Sequence, residues 1–199
     1  MFIISTRDKE NFTREVETFL REIKLSSILD DDNITIKKPK KTLFNFFWKG
    51  WKVINQLYSV DGIITGSTAL SMYRYKGHPI LMRKPNDWDF ILSKENFRKF
   101  CGLRNISDIQ IRGGIMRLSL KTGITFYSSY GDTTIMNHNI DCITVDNFNR
   151  FKEYNGIKVA DLDYIIEEKL KLFNSGGELE KNFKDLHMIM SRFKFLENA

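Results

Sequence analysis

The spacing of the hydrophobic residues changes twice along this chain, and the change limits the folds open to it. Apolar residues recur at helical spacing over residues 8–29, which Asp8 would cap, and again over 42–60. Short strands are predicted from residue 61 to about 145, and the helical spacing returns at Asp161. We therefore predict an α+β fold with a small mixed β-sheet, N-terminal helices and a C-terminal helical tail.

The middle of the chain predicts strands at 61–65, 87–92, 106–112, 115–120, 124–128 and 139–145. The segments 112–114 and 121–123 predict hairpin turns because each contains glycine. Helices are predicted after Ser67 and after Ser93, and the tail should form two helices separated by the NSGG at 174–177.

The composition fits a globular chain. With 199 residues, 42% of them hydrophobic, it can fill the core of an ordinary domain. No run approaches the roughly 18 apolar residues that span a bilayer, and the opening MFIIS is too short for a signal peptide, so we expect a cytoplasmic protein without a membrane partner. Cys101 and Cys142 lack the paired spacing of a disulfide framework or a zinc site.

The charge pattern suggests a partner class and a division of the chain. A net charge of +6 would attract a polyanion such as a nucleotide or RNA. Three acids followed by four lysines around Pro39 predict an exposed connection over 30–41. We divide the chain into an N-terminal helix with a basic connector (1–41), a core (42–150) and a C-terminal helical region (151–199).

Gly66 and Ser67 follow a predicted strand and precede a predicted helix. Glycine allows a tight turn and a close approach of the backbone to a ligand, while Ser67 adds a hydroxyl, so a phosphate group would suit this turn. A turn and helix cap with no ligand is the alternative interpretation, because many strand-to-helix turns carry the same two residues.

Two aspartates alternate in the segment PNDWDFIL at 85–92. Because side chains alternate along a strand, Asp87 and Asp89 should lie on one face, where their charges repel each other. A divalent cation would relieve that repulsion, and Mg²⁺ bound by carboxylates serves phosphoryl and nucleotidyl transfer. A solvated strand end is the alternative.

The turn and the acidic strand, in this order, resemble the nucleotidyltransferase superfamily of polymerase-beta type. GIKVADLDYIIEEKLKLF at 156–173 and KNFKDLHMIM at 181–190 are similar to the C-terminal helical signature of AbiEii-like minimal nucleotidyltransferases. The resemblance covers about residues 45–195. It implies a nucleotidyltransferase core with the C-terminal helical region packed on it.

The resemblance also implies which residues bind the nucleotide. Gly66 and Ser67 would hold the triphosphate of an NTP. Lys169 stands at the family's EKL position, and Lys184 and Asp185 stand at its KD position, where residues face the nucleotide or fix the helical tail. A lysine on an amphipathic helix is often simply solvated, which is the alternative for Lys169 and Lys184.

The metal site implied by the resemblance needs three carboxylates for Mg²⁺ or Mn²⁺. Asp87 and Asp89 would supply two, and a later strand the third. Asp141 lies within an apolar run and Asp146 at its end. We choose Asp141, because an acid in mid-strand is costly unless it is paired or bound to a metal.

The activity implied is the transfer of an NMP from an NTP, such as ATP, to a hydroxyl acceptor with release of pyrophosphate. RNA, for example a tRNA 3′ end, or a protein side chain is the expected acceptor, and toxin-like members would have an antitoxin or another protein partner. Two alternatives stay open: a catalytically silent fold that binds RNA or protein, and a small-molecule adenylyltransferase.

The sequence departs from the family pattern in the segment before the acidic strand. The gap between Ser67 and Asp87 is longer than usual. The resulting insert at residues 71–86 carries five basic residues, which we expect at the rim of the site: Arg74, Lys76, His78, Arg83 and Lys84. Near the C-terminus there is a second departure, since KNFKD supplies lysines where relatives often have an arginine before the KD motif.

Overall fold

The computed structural model describes the whole chain except a set of short segments. These are residues 1–2, 26–32, 38–47, 86, 104–107, 113–114, 120–124, 129–133, 136–137, 146 and 198–199. The chain forms two compact units. Unit 1 comprises residues 1–38, 70–84 and 161–199, and unit 2 comprises residues 39–69 and 85–160. The three domains predicted from the sequence divide the chain differently and stay a prediction.

Within the described residues the structure contains six helices and twelve strands, which confirms the α+β class. The helices are α1 (Thr6–Leu25), α2 (Trp48–Ser59), α3 (Gly66–Met72), α4 (Lys94–Leu103), α5 (Leu162–Ser175) and α6 (Leu179–Glu197). The strands are β1 (Ile34–Ile36), β2 (Ile63–Thr65), β3 (Tyr73–Tyr75), β4 (His78–Pro79), β5 (Asp87–Leu92), β6 (Asp108–Arg112), β7 (Ile115–Ser119), β8 (Thr125–Ser128), β9 (Thr134–Ile135), β10 (His138–Thr144), β11 (Phe151–Tyr154) and β12 (Ile157–Ala160).

Each of the six predicted helices and six predicted strands corresponds to an element among the described residues. Ser93 caps α4 as predicted, because its hydroxyl accepts a hydrogen bond from the backbone N–H of Asn96 at 3.1 Å. In the part of the chain that is described, no helix has the length and apolar character needed to cross a membrane.

Unit 2 is built on a nine-stranded mixed sheet. Its strand order is β11-β12-β2-β5-β10-β8-β7-β6, and β9 pairs with β10. The central strand β5 runs antiparallel to β2 and parallel to β10. Acidic residues on β5 therefore have one neighbouring strand on each side.

One face of this sheet is covered by α2. Trp88 and Phe90 are buried on β5, with their rings stacked at a centroid distance of 5.8 Å, and the Tyr58 ring of α2 lies 5.9 Å from that of Phe90. Ile54 and Leu57 of the same helix are buried as well. The aromatic helix predicted from the sequence thus serves as cover for the sheet.

Unit 1 combines α1, α5 and α6 with the three-stranded sheet β1-β3-β4. Aromatic rings connect its elements: Phe12 of α1 packs edge-on against Phe173 of α5 at 5.3 Å, and Tyr75 of β3 stacks on Phe193 of α6 at 4.5 Å. These contacts bury the apolar faces that the helical periodicity predicts.

Two local predictions for unit 1 are wrong. The cap of α1 is Ser5 rather than Asp8: the Ser5 hydroxyl accepts a hydrogen bond from the Asp8 backbone N–H at 3.1 Å and donates one to the Asp8 carboxylate at 2.6 Å. The segment 30–41 is not entirely an exposed connection, because Ile34 and Ile36 of β1 are buried and β1 pairs with β3.

The insert builds the small sheet of unit 1. Its strands β3 and β4 are joined by Lys76 and Gly77, whose φ angles of 47° and 78° are those of a tight hairpin turn. Three of its cations have structural partners. Arg74 donates hydrogen bonds to the backbone carbonyls of Ser71 and Tyr73, Lys76 donates one to that of Leu196, and Arg83 binds Asp185.

Alanine substitutions at Gly62 and Gly102 test the packing of Gly62 against α2. A Cβ at Gly62 would lie 2.6 Å from the Leu57 carbonyl oxygen, whereas one at Gly102 in α4 would meet nothing within 4 Å. We expect Gly62→Ala to lower the free energy of unfolding by about 1–3 kcal/mol, because backbone atoms must move. Gly102→Ala should leave it equal or higher, because alanine favours helix. Chemical denaturation of both variants measures the difference, and equal stabilities would contradict the described packing.

Candidate functional site

A row of polar positions crosses the three central strands of unit 2. Thr65 of β2 pairs with Asp89 of β5, and Asp89 pairs with Asp141 of β10. Asp87 pairs with Asn139 in the same register. Because paired positions share a face and successive positions alternate, these five positions lie on one face of the sheet.

The remainder of these strands is apolar. The positions between the aspartates belong to the opposite face, where Trp88, Phe90 and Cys142 are almost fully buried. Asp89 is half-buried. Acidic positions on a strand whose other face is core therefore mark a defined polar site on this sheet.

Gly66 brings the predicted phosphate turn against this acidic row. Its φ angle is +61°, and a Cβ built on it would lie 1.9 Å from Oδ2 of Asp89 and 2.7 Å from its Cγ. Only glycine satisfies both constraints. The turn and the acidic strand, which are separate motifs in the sequence, thus form one site in unit 2.

Hydroxyl groups surround the same turn. Thr65, Ser67 and Thr68 are 5%, 2% and 3% exposed, although all three carry a polar side chain. A buried hydroxyl is costly unless it hydrogen-bonds to protein or ligand. The turn therefore concentrates hydrogen-bonding groups at the acidic face of the sheet.

The structure brings together Gly66, Ser67, Asp87, Asp89 and Asp141 within unit 2. For Asp87 and Asp141 only the backbone position is described. Asp146, the other candidate for the third carboxylate, lies outside the described residues. Among the side chains described, which include Asp89 but neither Asp87 nor Asp141, no group of three His, Cys, Asp or Glu is placed to hold a metal. Lys169, Lys184 and Asp185 belong to unit 1.

Asp185 is the centre of a charged cluster in unit 1. It is fully buried and receives two hydrogen bonds from Arg83, Nε to Oδ1 at 2.7 Å and Nη2 to Oδ2 at 2.6 Å. Lys169 Nζ donates a third, to Oδ2 at 2.7 Å. A bidentate arginine and a lysine supply the partners that a buried carboxylate needs.

The ionisation of Asp185 follows from these partners. Burial by itself would raise the pKa of its carboxyl group, but the hydrogen bond from Arg83 and the charge of Lys169 outweigh it and hold the pKa below the ordinary 3.8. Asp185 is therefore ionised at neutral pH and stabilises the folded state there.

The two lysines predicted from the helical signature have different surroundings. The Lys169 side chain is 7% exposed and bound to Asp185, whereas that of Lys184 is 64% exposed and pairs with Glu180 one turn earlier at 2.5 Å. A surface pair of this kind contributes little to stability. Of the two, only Lys184 lies on the surface of unit 1.

The sequence places Arg83 only among the basic residues at the rim of the site and does not predict its ion pair with Asp185. Together with Lys169 it is one of two cations bound to Asp185, and no arginine stands in the KNFKD segment itself. Arg83 and Asp185 are 102 positions apart, so no local pattern connects them. The sequence gives one indication that a cation of the insert pairs with a distant acid: residues 70–84 are basic and contain no acid of their own.

Comparison with known proteins gives distant structural matches. No protein-family model and no curated protein sequence matches the chain. JHP933 from Helicobacter pylori matches with 15% identity and a TM-score of 0.37, over 68% of this chain and 57% of that one. A "putative nucleotidyltransferase", TM1012 from Thermotoga maritima, matches with 20% identity and a TM-score of 0.37, over 76% of this chain and 94% of that one.

The chain thus spans little more than half the length of JHP933. Likenesses of this degree establish neither an activity nor a substrate. The AbiEii-like subtype stays a prediction.

Asp185→Asn tests the charged cluster. The amide is isosteric but uncharged, so Arg83 and Lys169 lose their ionic partner, and we expect the free energy of unfolding at pH 7 to fall by about 3–5 kcal/mol. The neighbouring Lys184→Gln removes only the surface pair and should change it by less than about 0.5 kcal/mol. Urea denaturation measures both, and equal effects would contradict a buried ionic centre.

The same variant carries a pH signature. Because the pKa of Asp185 is lower in the folded than in the unfolded chain, its contribution is complete above about pH 5 and is lost as the pH falls below the ordinary value of 3.8. We expect the stability difference between wild type and Asp185→Asn to be constant at neutral pH and to shrink in acid. A difference that persists unchanged at pH 3 would contradict the assignment.

Gly66→Ala tests the contact between the turn and Asp89. Gly156 has a similar φ of +72°, but a Cβ there would meet nothing within 4 Å. Gly156→Ala should therefore cost only the backbone strain of about 1–2 kcal/mol, and Gly66→Ala should cost more because of the collision. In an Asp89→Ala background the excess cost of Gly66→Ala should fall, and a double-mutant cycle by thermal denaturation measures it. An unchanged excess would contradict the contact.

Proposed function

We propose that this chain is a metal-dependent nucleotidyltransferase of the AbiEii-like kind that transfers an NMP from an NTP to a hydroxyl acceptor and releases pyrophosphate. The observation that carries the proposal is the contact of Gly66 with Asp89 at the acidic row. It joins a turn suited to phosphate and a face suited to divalent cations. Both are needed for nucleotidyl transfer.

The residues of the acidic face fit Mg²⁺ or Mn²⁺. Three aspartates at positions 87, 89 and 141 occupy adjacent places on one face, and carboxylate oxygens are the ligands these hard cations prefer. In addition, the carboxylates would repel one another without a cation. When bound, the cation would neutralise charge on the triphosphate and the leaving pyrophosphate and lower the pKa of the acceptor hydroxyl.

The chain's own residues would then have distinct tasks. Asp87 and Asp89 hold the cation, and the Asp141 carboxylate completes the site and accepts the proton of the acceptor hydroxyl. Ser67 donates its hydroxyl hydrogen to a phosphate oxygen, which orients the triphosphate. The acceptor oxygen bonds to the α-phosphorus while the bond from that phosphorus to the bridging oxygen breaks, so pyrophosphate leaves.

Lys169, Lys184 and Asp185 are kept in the proposal as nucleotide-binding residues. For Lys184 this role rests on the resemblance alone, while the buried pair of Lys169 and Asp185 supports a role in holding α5 to α6. The proposed acceptor is RNA, such as a tRNA 3′ end, or a protein side chain. Of these two acceptors, the net charge of +6 favours RNA, because RNA is a polyanion.

Label transfer tests the proposal. The protein is incubated with each α-³²P-labelled NTP, Mg²⁺ and total RNA or total protein, with γ-labelled NTP and EDTA as controls. We expect α-label on one acceptor class only when the metal is present. Asp87→Asn, Asp89→Asn and Asp141→Asn should each lower the rate about 100-fold or more without unfolding the chain.

Asp61→Asn is the matched control. Asp61 lies in unit 2, is exposed and pairs with Lys158, and asparagine tolerates its φ of 59°. Its rate should equal that of the wild type. Wild-type rates in all three site variants would contradict the metal site, and transfer of γ-label would indicate a kinase. Metal-independent binding of RNA without transfer of label would favour the catalytically silent alternative.

A further inference from the structure

One side of α6 combines an arginine with exposed apolar groups. Met188, Arg192 and Phe195 stand at i, i+4 and i+7, so they share this side of the helix. Met82 of the insert adjoins them, because its backbone N–H donates a hydrogen bond to Sδ of Met188 at 3.2 Å. Met82 and Phe195 are 61% and 64% exposed. We call these four residues, which all belong to unit 1, the α6 stripe.

Arg192 lacks the partner that a half-buried arginine normally has. Within the described part of the chain, no hydrogen bond or ion pair joins its guanidinium to another residue. Its Nε is enclosed by protein without an acceptor, whereas the outer nitrogens Nη1 and Nη2 are not enclosed. The two arginines of the insert differ in this respect, since Arg83 binds Asp185 and Arg74 binds backbone carbonyls. An unsatisfied charged donor is costly, so the guanidinium of Arg192 favours an anionic ligand.

The ring of Phe195 gives this ligand a second property. The guanidinium carbon of Arg192 lies 5.8 Å from the ring centroid, which is a cation–π distance. Because the ring is nevertheless mostly exposed, it retains surface on which another planar group can stack. A nucleotide combines an anion with a planar ring, and stacking on aromatic side chains beside cations is the way in which proteins bind single-stranded nucleic acid.

A protein segment is the other class of ligand for an exposed apolar surface. Specific protein interfaces place about 20–30 residues on each side around a buried apolar centre. The α6 stripe offers three apolar side chains, and one of these is a ring in contact with an unpaired guanidinium. Together with the net charge of +6, this composition favours a polyanion with bases over a protein.

We propose that Arg192 and Phe195 bind one nucleotide of a single-stranded RNA. The outer nitrogens of Arg192 donate hydrogen bonds to a phosphate oxygen, and the Phe195 ring stacks on the base. Met82 and Met188 provide apolar surface beside them. The inference rests on the proposed function, in which RNA is one of two acceptor classes, and adds to it a surface of unit 1 that binds this acceptor without taking part in the transfer.

Fluorescence anisotropy of a labelled oligoadenylate RNA and calorimetric titration with inorganic polyphosphate, which has the charge but no bases, test the inference on the full chain. We expect Phe195→Ala to bind the RNA about tenfold more weakly and polyphosphate as tightly as wild type does, because only stacking is lost. Phe195→Tyr keeps the ring and should bind both probes like wild type. Arg192→Gln should weaken both and make the slope of log affinity against log salt shallower by about 0.7.

Lys194→Gln is the matched control on the same helix. Lys194 is 64% exposed but pairs with Glu15 of α1, and it stands two residues from Arg192, so it lies on another side of α6. Loss of its charge should change the RNA affinity by less than about twofold. All four variants should melt close to the wild-type temperature, because each changes an exposed group or one that makes no hydrogen bond within the described chain.

Wild-type RNA affinity in Phe195→Ala and Arg192→Gln would overturn the inference. So would an equal loss in Lys194→Gln, since it would indicate a diffuse attraction by charge. Absence of RNA binding by the wild type would overturn it as well, and self-association that Phe195→Ala abolishes would then identify a protein contact instead. Transfer of α-label to protein in such a case would leave the proposed function intact. RNA binding at the α6 stripe without transfer of α-label to any acceptor would contradict the proposed function and leave the inference standing.

Discussion

The register of β2, β5 and β10 is the constraint on which the candidate site depends. A slip of one residue would move the aspartates of β5 to the opposite face, because side chains alternate along a strand. Trp88 and Phe90 prevent such a slip, since their rings are buried on the face that α2 covers. Apolar packing on one face thus determines where Asp89 lies on the other.

The acidic face and the turn contain features that lower the stability of the fold. Like charges on adjacent positions repel, and Gly66 adopts a conformation that other residues avoid. In unit 1 the charge of the Asp185 carboxylate is balanced within the protein, because Arg83 and Lys169 both donate hydrogen bonds to it. In the proposed function, a divalent cation would reduce the repulsion between the carboxylates of the acidic face.

The long elements were predictable because their periodicity is local. Alternation revealed β5 and its two aspartates, and helical spacing revealed α1, α5 and α6. Strands of two or three residues, such as β1 and β4, carry too few positions to show a period, and their pairing partners are distant in sequence. The same holds for Arg83, whose partner on α6 is 102 residues away.

The candidate site was predictable in its composition but not in its contacts. The motifs contain Gly66 and Asp89, yet only the fold shows that the two are in contact. The cap of α1 illustrates the same limit on a smaller scale, since Ser5 and Asp8 are both suitable residues and the geometry alone decides between them.

A crystal structure with Mn²⁺ and a non-hydrolysable NTP analogue, solved with anomalous diffraction data, tests directly whether the acidic face binds a metal and a nucleotide. We expect a manganese peak bound by the carboxylates of Asp87, Asp89 and Asp141, with the triphosphate beside Gly66 and Ser67. Manganese and nucleotide bound elsewhere on the protein, or an empty acidic face at saturating concentrations of both, would contradict this expectation.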